Sequence, residues 1–183
     1  MGMAAPSYWT ADMLRALPDD GNRYELINGE LLVSPSPRFL HQRLVGRLHV
    51  ALEIYLRSQL AGEALTAPAD ISWGDEHVLT QPDVFVVPAF ARKIERWEEL
   101  RHLLLIAEVL SPSTPRNDRF VKRPEYQRRG VPMVWLVEGD ERYVEVWTPQ
   151  ATFPLVERER LVWQPDGARE AFTLDLAELF GMA

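Results

Sequence analysis

The chain has 183 residues and no cysteine. This absence excludes disulfide bonds and every metal site built on thiolate ligands. No apolar run approaches the roughly 18–20 residues that a membrane-spanning helix requires, and the most apolar stretch, LLLIAEVL at 103–110, has the length of a strand. The first residues lack the basic and apolar regions of a signal peptide. We therefore expect a cytoplasmic protein that makes no membrane contact.

Positive charge is also scarce. The chain has 20 Lys and Arg against 27 Asp and Glu, a net charge of −7. A protein that coats nucleic acid needs a broad basic surface, which this composition disfavours. A nuclease stays possible, because its active site needs only a local basic patch. The motifs G-x-S-x-G, P-loop, G-x-G-x-x-G and H-E-x-x-H are all missing, so serine hydrolases, NTP-binding proteins and zinc proteases have no support.

The length predicts one domain, since roughly 100–200 residues per domain is usual. We expect residues 1–22 to form a helical lead-in and residues 23–183 to form the core. Asn28 and Gly29 stand between two strand-like runs, which is a strong hairpin signal. From Leu40 onward, apolar residues recur in steps of three and four, which predicts a long amphipathic helix.

The remaining pattern alternates between strands and helices. We predict strands at 69–73, 84–87 and 103–110, a hairpin over 131–147 and a last strand near 151–156. We predict helices near 10–17, at 91–101, within 117–130 and at 174–180, and a rigid loop at 111–115. This order indicates an α/β or α+β fold with a central mixed sheet flanked by helices.

Two carboxylates interrupt apolar strands. Asp83 opens VFVV, and Glu108 lies inside LLLIAEVL. An unpaired charge in a low-dielectric interior costs several kcal/mol or more, so each acid needs a cation, a hydrogen-bond network or water. Each could simply pair with an arginine at a strand end. If the two strands are neighbours, both acids could instead converge on one Mg²⁺ or Mn²⁺, which prefer oxygen ligands.

A basic segment follows the second acid. Residues 116–129 contain six Lys and Arg against two acids. Lys122 forms an i, i+4 pair with Asp118, and Tyr126 continues the same helix face. This segment is either a solvated helix face or a patch that faces phosphate. Pro124 fits only in the first turn of a helix or at a kink.

Two further polar residues stand at element boundaries. His41 begins the long helix, and Glu30 follows the Asn-Gly turn. Taken alone, His41 is a surface or packing residue and Glu30 an ordinary hairpin charge.

Four blocks of the sequence carry a resemblance to a known family. In order, they are YELINGELLVSPSP, HQRLVGRL, QPDVFVV and EVLSPSTPRNDRFVKRPEYQRRGVPMVWLV. They resemble the restriction-endonuclease family called Uma-two, which belongs to the PD-(D/E)XK nuclease superfamily. The resemblance extends from about Tyr24 to Trp147 and implies a restriction-endonuclease-like fold.

The resemblance also implies roles for individual residues. Asp83 is similar to the aspartate of the PD element, and Glu108 to the acid of the second element. The superfamily pattern has a lysine two residues after that acid, where this chain has Leu110. In the Uma-two family the lysine lies in the next helix, at the place of Lys122. The residues expected at the periphery of the site are Glu30, His41, Gln81, Asp118 and Tyr126.

These observations lead to a functional hypothesis. Asp83 and Glu108 would hold Mg²⁺ or Mn²⁺, and Lys122 would stabilise charge or orient water during hydrolysis of DNA. A homodimer is expected if both strands of a duplex are cut. The main alternative is a nuclease fold without catalysis that acts as a nucleic-acid-binding or protein-interaction module. A glycosidase with a carboxylate pair is disfavoured, because the six Trp residues are scattered.

Overall fold

The computed structural model describes residues 8–112 and 115–182. Residues 1–7 of the predicted lead-in and residues 113–114 of the predicted loop lie outside these ranges. The first helix is α1 (Ala11–Arg15), and the Oγ1 of Thr10 accepts a hydrogen bond from the Met13 amide at 3.3 Å. This N-cap satisfies one of the free amides of the first turn.

The Asn-Gly hairpin is confirmed. Strand β1 (Arg23–Ile27) pairs antiparallel with β2 (Glu30–Ser34). Asn28 and Gly29 have φ angles of 51° and 80°, and a two-residue turn of this type requires positive φ at both positions. A Cβ at position 29 would also collide with the ring of Tyr8.

The long helix is α2 (Phe39–Gln59). Its residues at four-residue spacing, from Leu44 through Leu48 and Leu52 to Leu56, are at most 1% exposed. This apolar stripe packs against the central sheet, as the spacing of three and four predicts.

The central sheet has six strands in the order β3-β4-β5-β6-β7-β8. Strands β5 and β6 are parallel and the other neighbours are antiparallel, so the sheet is mixed, as predicted. The strands are β3 (Gly62–Thr66), β4 (Val84–Pro88), β5 (Leu105–Val109), β6 (Val134–Glu138), β7 (Tyr143–Trp147) and β8 (Leu155–Glu157).

Both faces of this sheet are covered. One face packs against α2, the hairpin β9 (Arg160–Trp163) with β10 (Phe172–Asp175), and α5 (Leu176–Phe180). The other face packs against Tyr126 of α4 (Arg123–Arg128) and against loop residues such as Ile71 and Leu100. Before α4 come α3 (Pro115–Asn117) and a π-helical turn (Asp118–Lys122), whose Val121 packs against the β1–β2 hairpin. Every residue of β5 is buried, as its continuous apolar run predicts.

Several local predictions are wrong. The helix predicted at 91–101 is two 3₁₀ turns, Ala89–Lys93 and Trp97–Glu99, because its sparse apolar residues cannot form one buried helix face. The strand predicted at 69–73 is a single bridge between Ile71 and Thr80. Within the described residues, no helix is long and apolar enough to cross a bilayer.

Candidate active site

Asp83 and Glu108 lie side by side. Strands β4 and β5 are antiparallel neighbours in which Val84 is opposite Ala107, so the next pair in register is Asp83 and Glu108. The Asp83 amide donates to the Glu108 Oε2 at 3.4 Å, and the Val109 amide donates to the Asp83 Oδ2 at 2.9 Å. The two acids are only 4% and 1% exposed. The fold therefore brings together the two carboxylates that the sequence singled out.

Lys122, in the π-helical turn, also contacts this pair of acids through Glu108. Its Nζ lies 2.7 Å from the Glu108 Oε1, 3.0 Å from the Glu25 Oε2 and 3.6 Å from the Asp118 Oδ1. Lys122 ends the π-helical turn, and Pro124 lies in the first turn of α4, a position that tolerates proline. The predicted pair of Lys122 and Asp118 is thus buried rather than solvated.

Strand β1 supplies two residues that the sequence prediction missed. Arg23 donates to the Asp83 Oδ1 at 2.9 Å and to the Gln81 carbonyl at 3.1 Å. Glu25 accepts hydrogen bonds from the Thr80 hydroxyl at 2.9 Å and the Gln81 amide at 2.8 Å. Because side chains alternate along a strand, Arg23 and Glu25 share one face. The alternation in RYELI predicts that the two side chains share a face, but it does not predict that this face is buried.

Three of the predicted peripheral residues contact the acids or the lysine. His41 places its Nε2 3.0 Å from the Asp83 Oδ2, and Asp118 contacts Lys122 as described above. The Tyr126 hydroxyl lies 2.6 Å from the Glu108 Oε1. The Nδ1 of His41 is buried and has no hydrogen-bond partner within residues 8–112 and 115–182.

The other two peripheral residues behave differently. Gln81 contributes its backbone to the site, while its side-chain amide donates to the Asp70 Oδ1 at 2.9 Å. Glu30 does not join the cluster. It stands opposite Ile27 at the turn end of the hairpin and is exposed, whereas Arg23 lies at the other end, opposite Ser34. The buried acid of this hairpin is Glu25.

Burial and charge shift the pKa values of these groups in different directions. Burial, together with the charges of Asp83 and Asp118, raises the pKa of Glu108 to about 8, although Lys122 opposes the shift. Burial also favours a neutral Asp83, but the His41 hydrogen bond and the Arg23 charge outweigh it and lower the Asp83 pKa. Burial disfavours the charged form of Lys122, yet Glu108 and Glu25 hold its pKa well above the usual value.

A row of oxygen contacts agrees with a protonated Glu108. Glu25, Thr80, Tyr126 and Glu108 are joined in that order by contacts of 2.9, 2.7 and 2.6 Å. Three hydrogen bonds need three protons, and the two hydroxyls supply only two. A carboxyl group must supply the third, and burial raises the pKa of the Glu108 carboxyl group.

Comparison with known proteins places the chain in a family. The model of the Uma2 family, described as "Putative restriction endonuclease", matches residues 11–177. The chain belongs to the Uma2 family. This confirms the resemblance seen in the four sequence blocks.

The Uma2 chain is also similar to a solved structure, a "putative nuclease belonging to DUF820" from Anabaena variabilis ATCC 29413. The two share 25% sequence identity with a TM-score of 0.77, and the match covers 94% of this chain and 98% of that one. This likeness confirms the predicted fold class. No curated protein matches the chain.

The nuclease superfamily that the sequence resembles implies a divalent metal, and the donor atoms of this Uma2 site fit one. A carboxylate has about four lone-pair sites. Among residues 8–112 and 115–182, one hydrogen-bond donor contacts the Asp83 Oδ1 and one contacts the Glu108 Oε2, so each oxygen has a lone pair that these residues do not use. Mg²⁺ needs only one or two carboxylates plus water and substrate oxygens. Within the part of the chain that the structure describes, no three His, Asp or Glu side chains form a ready metal cage.

The space and charge of the site also suit a metal ion. A cavity of about 20 Å³ lies among the acids and Lys122, which is room for about one water molecule. Four acids stand against two permanent cations, so two negative charges stay unbalanced when all four acids are ionised. The charged side chains that line this cavity are Arg23, Glu25, Asp83, Glu108, Asp118 and Lys122.

A larger cleft adjoins this cavity. Its volume is about 610 Å³, and Arg23, His41 and Asp83 line both spaces. Asp83 therefore stands between the small buried cavity and a cleft large enough for a substrate.

Proposed function

We propose that this Uma2 protein is a metal-dependent endonuclease that hydrolyses DNA phosphodiester bonds. The observation that carries the proposal is that Asp83, Glu108 and Lys122 line one small cavity. Membership of a family described as restriction endonucleases and the nuclease likeness of the solved structure support it. The metal would be Mg²⁺ or Mn²⁺, held by Asp83 and Glu108.

The side chains of the site have complementary roles in this proposal. When bound, the metal would supply a water of lowered pKa and neutralise charge on the scissile phosphate. Lys122 keeps its proton because of the surrounding carboxylates and provides a fixed positive charge for the transition state. Arg23 and His41 hold Asp83 ionised, and Tyr126 fixes the Glu108 Oε1, as partners of metal ligands do.

Nicking of DNA tests this proposal. We would incubate wild-type protein with supercoiled plasmid and with circular single-stranded DNA in Mg²⁺, Mn²⁺ or EDTA. The variants are Asp83→Asn, Glu108→Gln and Lys122→Met. Glu145→Gln is the matched control, because Glu145 is also buried but pairs with Arg119 outside the site. Thermal unfolding of each variant checks that it is folded.

We expect metal-dependent cleavage by wild type and by Glu145→Gln. The three site variants should each lose about 100-fold or more, the usual size for a group that stabilises transition-state charge. Equal cleavage by all variants would contradict the site assignment. Binding of DNA without cleavage in any metal would instead favour the non-catalytic module. Linear plasmid as a first product would indicate the paired sites of a homodimer.

A further inference from the structure

We propose that the substrate is bound as a single strand, with bases stacked on the exposed ring of Phe39 and phosphates on Arg43 and Arg47. The inference rests on the proposed nuclease function and names the class of its substrate. It comes from the exposed face of α2, which none of the contacts described above uses.

The first turn of α2 has one side chain directed into the site and another exposed to solvent. His41 is buried against Asp83, while Phe39, two residues earlier, is 77% exposed. The guanidinium of Arg43 lies 4.7 Å from the centre of the Phe39 ring. An exposed aromatic ring beside a cation is the arrangement on which unpaired bases stack.

The next turn of the same face is positively charged. Within residues 8–112 and 115–182, neither Arg43 nor Arg47 forms an ion pair with a carboxylate. Arg47 donates instead to the Leu179 carbonyl at 2.9 Å. A Cβ placed on Gly46, which lies between them, would meet open space. In a chain of net charge −7, two arginines without acidic partners form a local site for phosphate.

A groove lies beside these arginines. Arg43, Gly46 and Arg47 line this groove of about 710 Å³ between α2 and α5, together with one acid, Glu178. Gln42 lines the groove and also the cleft of about 610 Å³ that contains Asp83. In the proposed complex the strand passes over Gln42 from the groove into the cleft.

The π-helical turn carries a second exposed ring. Phe120 is 69% exposed and lies two residues from both Asp118 and Lys122. Exposed phenylalanines thus stand on two of the elements whose side chains contact the acids, α2 and the π-helical turn. A base on either ring must be unstacked from its neighbours, which a single strand permits and an intact duplex does not.

Charge argues for the same choice. A duplex-binding protein neutralises many phosphates, typically about 6–10 in strong binders. The cleft beside Asp83 carries Arg15 and Arg23 against Asp19 and Asp70 as well as Asp83. The cleft therefore has no surplus of positive charge for the two backbones of a duplex, and the arginines without acidic partners lie on one face of α2, where they can contact one strand.

Fluorescence anisotropy in EDTA tests the inference without cleavage. The probes are a labelled mixed-sequence 15-nucleotide DNA strand, the RNA of the same sequence and the corresponding DNA duplex. The variants are Phe39→Ala and Arg43→Gln. The controls are Phe153→Ala and Arg169→Gln, which change an equally exposed ring and a charge on other surfaces.

We expect the single strand to bind about tenfold or more tightly than the duplex. Phe39→Ala should weaken single-strand binding about 5- to 100-fold, the effect of losing one stacked base. Arg43→Gln should weaken it and reduce the slope of log affinity against log salt by about 0.7. Both controls should bind within about twofold of wild type. Comparison of the DNA and RNA strands identifies the sugar that the surface prefers.

Equal or tighter binding of the duplex would overturn the inference, as would an unchanged affinity of Phe39→Ala. Sedimentation identifies the competing occupant: if Phe39→Ala turns a dimer into a monomer with unchanged affinity, α2 is a face for a second copy. Cleavage separates this inference from the proposed function. A wild type that binds single strands but cuts nothing contradicts only the nuclease. A wild type that cuts duplex and single strand at equal rates contradicts only the single-strand preference.

Discussion

Replacing Glu108 by glutamine removes a buried acid whose pKa lies about 8, against 4.5 for an unperturbed glutamate. Between these two pH values the folded wild type holds a proton that the unfolded chain has lost. Wild-type stability contributed by this group is therefore fully present below pH 4.5 and is lost as pH rises towards 8. The glutamine variant has nothing to titrate at this position, so its stability relative to wild type must rise over the same interval.

The magnitude follows from the shift. One pKa unit corresponds to about 1.4 kcal/mol, so the difference in unfolding free energy should grow by about 1.4 kcal/mol per pH unit. Over the whole interval it should grow by roughly 4 to 5 kcal/mol. The substitution also changes the unfolding free energy by an amount that does not depend on pH. This amount does not affect the prediction, because only the change of the difference with pH is compared.

Urea unfolding at several pH values from 5 to 8, in EDTA, measures this difference. Tryptophan fluorescence is a suitable probe because Trp135 is fully buried. Glu53→Gln is the control. Burial of Glu53 is outweighed by hydrogen bonds from the Ala64 amide and Arg57, which lower its pKa, so its difference from wild type should stay flat above pH 5. A flat or falling difference for Glu108→Gln would refute the protonated, buried glutamate.

Three further substitutions test the site and the elements of the fold that support it. Tyr126→Phe removes a hydroxyl that contacts both Glu108 and Thr80, so we expect a loss of about 1–3 kcal/mol in urea unfolding; an unchanged midpoint would contradict the buried row of hydrogen bonds. Gly29→Ala forces a Cβ into a turn with φ of 80° and against the Tyr8 ring, and we expect the free energy of unfolding to fall by more than about 1 kcal/mol. The control Gly167→Ala should lose less, because Gly167 also has positive φ but a Cβ there would meet no atom within 4 Å. Leu48→Ala opens a cavity under α2, where Leu48 is fully buried, and should cost about 2–5 kcal/mol; a cost as small as that of the exposed Val50→Ala would show that α2 does not pack on the sheet as described.

The burial of the two acids could be predicted from the sequence because each breaks an apolar pattern. Asp83 and Glu108 are charges in apolar strands, and such residues need partners wherever they lie. Lys122 was placed by its spacing from Asp118 and by the family resemblance. The structure adds the register that makes the two acids direct neighbours, which no local pattern contains.

Arg23 and Glu25 were missed for a physical reason. On a hairpin, alternating charged residues normally face solvent, and RYELI has this ordinary pattern. Arg23 and Asp83 are about 60 residues apart in the sequence, and only the tertiary fold brings them into contact. Glu30 had the same local appearance as Glu25, and the sequence offered no means of choosing between them.

Strands with weak propensity were missed as well. GEALT became β3 because it pairs with β4 in the sheet, although glycine, glutamate and alanine disfavour strands. For β3, pairing in the sheet outweighs local preference. The hairpin of β9 and β10 was missed although Val162, Trp163, Phe172 and Thr173 favour strands, and in the structure Trp163 and Phe172 pack against Trp135 and Tyr55.

The most direct test of the central claim is the position of Mn²⁺ in crystals soaked with that ion. We expect one anomalous peak in the small cavity, bonded to an oxygen of Asp83 and an oxygen of Glu108, and no such peak in crystals of Asp83→Asn. A wild-type crystal with Lys122 still bridging Glu25 and Glu108, and without an anomalous peak between the two acids at saturating Mn²⁺, would contradict the metal-dependent nuclease site.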